Sequence, residues 1–316
     1  MTQPSAKIIA DSINDWGQRL TTMEVVMHRF VLAEFNTHRV FSRNSASSRA
    51  IPYTKVSERV RTNVAWPVKW GQEQKGMQSG AEIENNATLI SINNTWSAAR
   101  DSALWCGDLL YGLGLHKSLI NRMLEPFMWH TVIVTATEWD NFFWQRCHPD
   151  AQPEMKAAAD EMQRAFFRST PEHLTHGMWH LPYISKQDRE EVKKMELFGP
   201  DAATHGAVTE TLKKISTARC ARVSYLTHDG KRDLMEDVGL FARLSESGHW
   251  SPFEHVATPV SFGSQFPLSN FRGWKQFRKE FPAENRAAFL PNLDDLADVR
   301  MRMEAGLVPW KGGSDA

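Results

Sequence analysis

The segment HTVIVTATEWDNFFWQR, residues 130–146, constrains the fold most strongly because its residue pattern changes part-way along. The first half is rich in β-branched residues, which favours a strand, and the second half is aromatic with helical spacing. A strand that runs directly into a helix is typical of a sheet covered by helices. The segment therefore predicts a fold that mixes α and β structure.

The same patterns predict the other regular elements. Strands are predicted at KIIADSI (7–13), TTMEVVM (21–27) and VATPVSF (256–262). A short helix is predicted at FVLAEF (30–35), and a basic aromatic helix at FRGWKQFRKEF (271–281). Further regular elements, mostly helices, are predicted at 94–113, at 115–126 where Pro126 ends the helix, from Pro153 to 168, at 211–225 and at 233–247.

No linker divides the chain, so residues 1–316 are predicted to form a single α+β domain. Residues 63–85 are predicted to be an irregular excursion because they contain Pro67, Gly71, Gly76 and Gly80. The C-terminal KGGSDA, residues 311–316, is predicted to be a mobile tail.

The charge balance argues against a nucleic acid polymer as a partner. Lys+Arg and Asp+Glu are both 37, so the formal net charge is zero, although a few local arginines could still bind one small anion. The three cysteines form no CxxC pair, which predicts a reducing compartment without disulfides. With neither a signal pattern nor an apolar run long enough for a membrane span, the expected location is the cytoplasm.

The stretch NTHRVFSRNSASSRAIP, residues 36–52, is polar but contains no Lys, Glu or Gly. Its serines, Ser45, Ser47 and Ser48, can donate hydrogen bonds to phosphate oxygens. Four arginines of the chain sit among apolar or hydroxyl residues and need an acceptor, namely Arg39, Arg49, Arg122 and Arg146. Two acceptors remain open: a carboxylate such as Glu125 or Glu138, or a phosphate or planar heterocycle on a ligand.

Two further motifs could carry chemistry. In QRCHPD (145–150), Cys147 beside an arginine and a histidine is a candidate activated thiolate, although a minor one. In GHWSPFEH (248–255), His249 is a candidate proton handler. A metal site is disfavoured, because His249 and His255 are separated by a proline and Gly177 interrupts the spacing of His173, His176 and His180.

Together these motifs resemble the flavin-dependent thymidylate synthase family, ThyX. The family's Arg-His-Arg, seven residues, then Ser-x-Arg is matched by Thr37-His38-Arg39 and Ser47-Ser48-Arg49, with Asn44 at a family asparagine. LHKSLINRMLEP resembles the family's Ala-Arg-x-x-Leu-Pro helix end. GHWSPFEH resembles its Gly-His-x-Ser/Thr-Pro-x-Glu-His loop. A further segment, 138–154, matches the family at Asn141, Arg146, Gln152 and Glu154.

The motif order differs from that of the family, in which the GHxSPxEH loop and a preceding strand come before the Arg-His-Arg motif. Here ARCARVSYLTHDG (218–230) and GHWSPFEH follow it, so the chain resembles a circular permutation across 21–168 and 215–262. Permuted relatives of this kind occur in phage genomes, which suggests a phage origin for this chain. The C-terminal end is also predicted to repeat a strand-then-basic-helix plan, in which Arg278 or Lys279 supplies the charge missing at Thr37.

The resemblance implies an α+β fold with a mixed or antiparallel sheet flanked by helices. It also implies FAD as cofactor, NADPH and 5,10-methylenetetrahydrofolate as co-substrates, dUMP methylation at C5, and a homotetramer with sites at subunit interfaces. The implied catalytic residues are Arg146 and His249, and no metal is implied. The implied substrate-binding residues are Glu34, Ser45, Ser47, Arg49, Arg122 and Arg146, and the implied cofactor-binding residues are His38, Arg39, Asn44, Asn141, Ser251 and Glu254.

The chain departs from the family pattern at Glu34, Thr37, Ser45, Thr135, Thr137 and Asp150. A carboxylate at 34, where the family has glutamine, removes donors and keeps acceptors, which suits the exocyclic amine of cytosine. Methylation or hydroxymethylation of dCMP at C5 therefore stays open. So does a degenerate homologue that binds nucleotide without catalysis.

Overall fold

The computed structural model of this protein describes residues 4–195, 205–223, 233–261, 269–282, 284 and 301. Its largest sheet has five strands in the order β3-β4-β2-β1-β5, antiparallel except between β1 and β5. A separate antiparallel pair joins β6 to β7. The strands are β1 (Ser5–Ile13), β2 (Arg19–His28), β3 (Ser42–Ser45), β4 (Trp129–Ala136), β5 (Glu172–His173), β6 (Ala257–Pro259) and β7 (Trp274–Gln276).

The helices lie between and after these strands. The α-helices are α1 (Leu32–Phe35), α2 (Tyr53–Thr62), α3 (Asn86–Gly112), α4 (Lys117–Ile120), α5 (Asp140–Arg146), α6 (Pro153–Arg168), α7 (Lys186–Lys194), α8 (His205–Arg222) and α9 (Leu234–Glu246). Short 3-10 helices span Arg29–Val31, Asn121–Phe127, Ser251–His255 and Phe277–Glu280. The predicted α+β class is confirmed, as is the change from strand to helix within 130–146.

One face of the large sheet packs against α5 and α6. Successive strand residues point to opposite faces, so Met23 and Val25 on β2 share a face with Val132 and Val134 on β4. All four are fully buried in the core that this face forms with the two helices. This core fixes the end of α5, where Arg146 lies.

The opposite face of the sheet is partly polar and is covered by α8 and the 251–255 segment. Thr22 and Thr135 are fully buried on this face, and Ile133 packs against Cys220 of α8. A second apolar core joins α8, α9 and the 251–255 segment through Ile215, Phe241 and Phe253. The GHWSPFEH motif is thereby held against the same sheet as the motifs of the N-terminal half.

The basic helix predicted for 271–281 is wrong. Residues Trp274–Gln276 form a strand and Phe277–Glu280 form a 3-10 helix. Residues three apart on a helix share a face, yet Trp274 and Phe277 are buried in two different apolar clusters. The chain must therefore change direction between them, and the predicted strand-then-helix copy does not form, because β6 pairs with β7.

Three other boundaries also differ from the predictions. The helix predicted from 94 begins at Asn86, because the Asn85 side chain accepts a hydrogen bond from the Thr88 N–H at 3.0 Å and caps it. The helix predicted at 115–126 divides into α4 and a 3-10 helix that contains Pro126. The strand expected from the start of ARCARVSYLTHDG is helical as far as Arg222, and residues 224–230 lie outside the described residues.

Within 63–85 the regular structure is a single bridge between Gly71 and Glu82. The predicted tail at 311–316 lies outside the described residues. The single-domain organisation stays a prediction.

Candidate active site

Arg146, the last residue of α5, is the centre of a polar cluster that we call the Arg146 cluster, formed with Glu34, Thr37 and His38. Its Nη1 is ion-paired with Glu34 Oε1. Its Nε donates to His38 Nε2 at 2.9 Å, and its Nη2 donates to Thr37 Oγ1 at 3.2 Å. The structure thus joins three residues predicted for substrate, cofactor or catalysis, and it gives Thr37 a partner at the position where the family has an arginine.

His38 is a neutral imidazole at physiological pH. Burial, followed by the positive charges of Arg146 and Arg43, lowers the pKa of His38 to about 4. Because Nε2 accepts a hydrogen bond from Arg146, the proton of the neutral ring lies on Nδ1. The ring of Phe142 meets the His38 ring edge-on at 4.9 Å, which fixes its orientation.

Arg43 supports this cluster, although the sequence reasoning did not single it out. Its Nη1 donates to the carbonyl of His38 at 3.0 Å and to that of Phe35 at 3.3 Å. Burial lowers the pKa of Arg43, and the Glu254 carboxylate opposes that shift. The signal that could have identified Arg43 is the alternation of side chains along β3. Ser42 and Asn44 are buried on one face, while Arg43 between them is only half-buried.

The Ser47–Arg49 segment forms a turn directly after β3. The carbonyl of Ser47 accepts the N–H groups of Ala50 and Ile51, both at 3.1 Å, and its Oγ accepts the N–H of Arg49 at 3.3 Å. Asn121 holds the turn in place, because its Nδ2 donates to the Ser48 and Ile51 carbonyls at 2.7 and 3.0 Å. Arg49 is exposed, and Ser45 and Ser47 are half-buried, so all three are accessible to a ligand.

Arg122 follows Asn121 and is exposed. Its Nη1 lies 3.9 Å from Glu125 Oε1, and that carboxylate makes a shorter ion pair of 2.9 Å with Arg29. The carboxylate that the sequence offered for Arg122 is therefore within reach but already engaged. Among the described residues, no hydrogen bond or ion pair joins Arg122, Ser47 or Arg49 to the Arg146 cluster.

The GHWSPFEH loop places its predicted residues in two environments. His249 and Ser251 are exposed. Glu254 is instead ion-paired with Arg278 of the C-terminal 3-10 helix, and Glu284 is paired with both Arg278 and Lys279. The hypothesis that Arg278 replaces the charge missing at Thr37 gains no support, because two carboxylates face Arg278 and Thr37 contacts Arg146.

A chain of buried polar groups runs across the sheet to the end of this loop. Ser12 Oγ lies 2.8 Å from His180 Nδ1, and His180 Nε2 lies 2.8 Å from Thr22 Oγ1. Thr22 Oγ1 lies 2.7 Å from Thr135 Oγ1, which in turn lies 2.7 Å from His255 Nδ1. We call this the hydroxyl–imidazole chain. It anchors the 251–255 segment to three strands of the sheet.

The remaining predicted cofactor positions are divided between surface and interior. Arg39 and Asn141 are exposed, whereas Asn44 is buried and its Nδ2 donates to the Cys220 carbonyl at 3.2 Å. Thr135 is taken up by the hydroxyl–imidazole chain, and Thr137 Oγ1 accepts the Arg272 N–H at 3.1 Å. The hydroxyls of Thr135 and Thr137 are thus both engaged within the chain.

The activated-thiolate interpretation of Cys147 is not supported. Burial, together with the nearby Asp160 carboxylate, raises the pKa of the Cys147 thiol to about 11. The thiol is therefore protonated near neutral pH. Asp150, another departure from the family, lies at the surface 3.5 Å from His148.

Residues 19–172 match the family model described as thymidylate synthase complementing protein, Thy1. This segment contains the Arg146 cluster, the Ser47–Arg49 turn and Arg122. Over these residues the chain is similar to the flavin-dependent thymidylate synthase family, ThyX, whose members are pyrimidine-nucleotide C5 methyltransferases of the thymidylate synthase type.

Solved structures similar to this chain include a UMP/dUMP methylase, PolB, from Streptomyces cacaoi. With 5-Br UMP bound, PolB has 15% sequence identity and a TM-score of 0.42, over 53% of this chain and 90% of its own. With 5-Br dUMP bound, the values are 13% identity, a TM-score of 0.42, and 53% and 91% coverage. A search of curated proteins gave no match.

Two further properties of the described residues concern membranes and metals. In the described ranges, no helix is both long enough and apolar enough to cross a membrane. Nor do three or more His, Cys, Asp or Glu side chains of those ranges come together as a metal-binding group.

Proposed function

We propose that this enzyme methylates dUMP at C5, with FAD as cofactor and with NADPH and 5,10-methylenetetrahydrofolate as co-substrates. The observation that carries the proposal is the Arg146 cluster, which presents a half-buried guanidinium at the family's pyrimidine-contacting position. A guanidinium held there can donate to a pyrimidine carbonyl and stabilise negative charge that develops on the base. Glu34, Thr37 and His38 fix its orientation.

The nucleotide phosphate is assigned to the Ser47–Arg49 turn and Arg122. Arg49 and Arg122 are exposed guanidiniums, and the turn is held rigid by Asn121, so its hydroxyl donors are positioned before the ligand arrives. Since the described contacts leave this turn separate from the Arg146 cluster, we infer that one site combines the two from different protomers. The homotetramer that the family resemblance implies would supply such a pair of protomers. It predicts a native mass near four chains by light scattering.

The exposed residues among the predicted cofactor-binding positions fit an anionic dinucleotide such as FAD. Arg39, Asn141 and Ser251 are exposed and would hold the cofactor, with Arg39 opposite the diphosphate charge. Asn44 and Glu254 are engaged with Cys220 and Arg278, so they position the segments around the cofactor instead of binding it. When bound, FAD would supply the reducing equivalents that turn the transferred methylene group into a methyl group.

His249 is assigned a place near the reacting edges of substrate and cofactor. It is exposed on the loop that the hydroxyl–imidazole chain anchors, and Ser247 Oγ lies 3.3 Å from its Nδ1. An imidazole at this place can hold or move a proton at Nε2 while Ser247 orients the ring.

A second candidate substrate is dCMP, and the observation that favours it is the Glu34 carboxylate within the Arg146 cluster. Glu34 is about one-third exposed, so it can accept a hydrogen bond from a ligand while it is paired with Arg146. Cytosine offers an amine donor at C4 where uracil offers a carbonyl acceptor. A pocket that matches hydrogen bonds in this way discriminates strongly.

Product analysis separates these candidates. The protein is incubated with FAD, NADPH, methylenetetrahydrofolate and equal amounts of dUMP and dCMP, and the nucleotides are identified by mass spectrometry. 5-Methyl-dUMP as the main product supports the leading proposal. 5-Methyl- or 5-hydroxymethyl-dCMP supports the second candidate. A colourless protein that binds nucleotide but cannot be reconstituted with FAD would show a degenerate homologue and overturn both.

A further inference from the structure

A cavity of about 310 Å³ lies between α2 and the adjoining parts of β2 and β4. Of the residues assigned above to nucleotide, cofactor or catalysis, Ser48 of the Ser47–Arg49 turn is the one that lines it. We call it the α2 cavity. Its volume falls at the lower end of the range of about 300–1,000 Å³ that is usual for small-molecule sites. Its lining residues are Val26, Arg29, Ala46, Ser48, Ile51, Val56, Arg59, Val60, Asn63, Met128, Trp129, His130 and Thr131.

The walls of the α2 cavity are mainly apolar. Val56 and Val60, one turn apart on α2, face Val26 of β2, and the indole of Trp129 adds a flat surface. The Trp129 ring is fixed from behind by His28, whose ring centroid lies 4.5 Å away. A flat aromatic wall opposite β-branched side chains suits a planar ring system.

Two polar atoms among the lining residues are buried without a partner. These are the Nε1 of Trp129 and the Nε2 of His130, and among the described residues neither has a hydrogen-bond partner. His130 is 3% exposed, and burial, aided by the charge of Arg29, lowers its pKa to about 3. The ring of His130 is therefore neutral, and its Nε2 can form one hydrogen bond with a bound ligand. Leaving such groups unsatisfied is unfavourable, so a polar ligand atom would be stabilised beside them.

The charges around the cavity are positive. Arg29 and Arg59 line it, and no lining residue is acidic. Glu125 neutralises part of the charge of Arg29 through its 2.9 Å ion pair. Arg59 is exposed, and within the described ranges no carboxylate forms an ion pair with it. A guanidinium beside an apolar slot is suited to a carboxylate carried on a ring.

We propose that the α2 cavity is a second ligand site, which binds a small planar aromatic carboxylate with its ring between Trp129 and Val60 and its carboxylate toward Arg59. The site is distinct from the one proposed above, because Ser48 is the one lining residue that also belongs to the nucleotide and cofactor assignments. Its occupant would touch Ser48, within the Ser47–Arg49 turn, and Ala46, just before it, and so could alter how the turn meets phosphate.

The test uses the full-length protein and isothermal titration calorimetry with 2-naphthoate and its neutral counterpart 2-naphthamide. Binding of 2-naphthoate at least about tenfold tighter than binding of 2-naphthamide is expected. Arg59→Gln should weaken 2-naphthoate binding by about fivefold or more. Arg61→Gln is the matched control on the same helix, because Arg61 pairs with Asp108 and does not line the cavity, and it should leave binding unchanged.

A cavity-filling variant, Val60→Trp, should abolish binding of both probes. If it fails to fold, the Arg59 and Arg61 variants still decide the matter. The proposal is overturned if 2-naphthoate does not bind at millimolar concentration, or if Arg59→Gln and Arg61→Gln behave alike. It is also overturned if dUMP or dCMP displaces the probe competitively, since the cavity would then belong to the nucleotide site.

Discussion

Thr135 Oγ1 lies 2.7 Å from Nδ1 of His255, although the two residues are 120 positions apart. Both side chains are fully buried. The contact docks the GHWSPFEH loop on β4, beside the strand that leads into the 36–52 motif stretch. The loop thus reaches the same sheet face although it comes late in the chain, as expected for a circular permutation of the family's order. The permutation itself stays a prediction.

Thr135→Val should destabilise the protein by roughly 1–3 kcal/mol, because it removes a hydroxyl that two buried partners share. Urea unfolding followed by circular dichroism measures the change. Thr137→Val is the control, since Thr137 is half-exposed and its hydroxyl accepts one backbone N–H. Equal effects at both positions would show that the hydroxyl–imidazole chain adds nothing to stability.

Glu34→Gln should shift base preference towards dUMP. The substitution restores an amide, which can donate to the uracil carbonyl, and removes the carboxylate paired with Arg146. The ratio of kcat/KM for dCMP to that for dUMP should fall by about tenfold or more. Glu138→Gln, whose partner is the exposed Arg272, provides the control. An unchanged ratio would mean that Glu34 does not face the base.

Stability should fall as the pH drops below about 6.5. Burial lowers the pKa of His38 to about 4 and that of His130, His180 and His255 to about 3. The unfolded chain then binds more protons than the folded chain, so stability is full above pH 6.5 and is lost toward these lower values. Urea midpoints between pH 7.5 and 4.5 measure the loss. A profile that stays flat over that range contradicts the prediction.

The share of His38 in this profile can be isolated. His38→Gln keeps an acceptor for the Arg146 Nε–H but removes the titrating ring. The slope between pH 6.5 and 4 should become shallower than in the parent protein. No change in slope would mean that the environment of His38 does not hold its ring neutral.

Cys147→Ser should retain activity within about twofold, because a half-buried thiol with a raised pKa supplies no thiolate near neutral pH. Initial rates with the preferred nucleotide measure the effect. Arg146→Gln, at the neighbouring residue, should by contrast lose activity by about a hundredfold or more through the loss of the cationic donor. A Cys147→Ser loss comparable to that of Arg146→Gln would restore the nucleophile interpretation.

Local patterns were sufficient to predict much of the fold. The strands at 7–13 and 21–27, the strand-to-helix change at 130–146 and the helix opened by Pro153 all follow from residue type and spacing over a few turns. The helix prediction for 271–281 failed because the aromatic spacing of this region fits a helix as well as it fits the observed strand and 3-10 helix. Burial of Trp274 and Phe277 in separate clusters overrode that preference.

The candidate site, like the fold, was predicted from the sequence only in part. The motifs singled out His38, Arg146, Glu34 and the Ser47–Arg49 turn, because hydroxyls and guanidiniums without local partners point to a ligand. They could not show that Glu34, Thr37 and His38 all bind Arg146, or that Glu254 is taken up by Arg278. Arg43 and His180 were not found at all. His180 acts through contact with a distant strand, and Arg43 reaches the carbonyls of Phe35 and His38 only because the chain turns back between α1 and β3.

The sequence by itself determined the family's chemistry and the residue types available for it, because motif identity and spacing are local properties of the chain. Only the tertiary structure decided which of those residues meet. Arg146 reaches His38 across 108 positions and His255 reaches Thr135 across 120, and such pairs form only when sheet and helices bury their apolar faces together. The same packing forms the α2 cavity by bringing part of the 36–52 stretch against α2, β2 and β4, which no single motif connects.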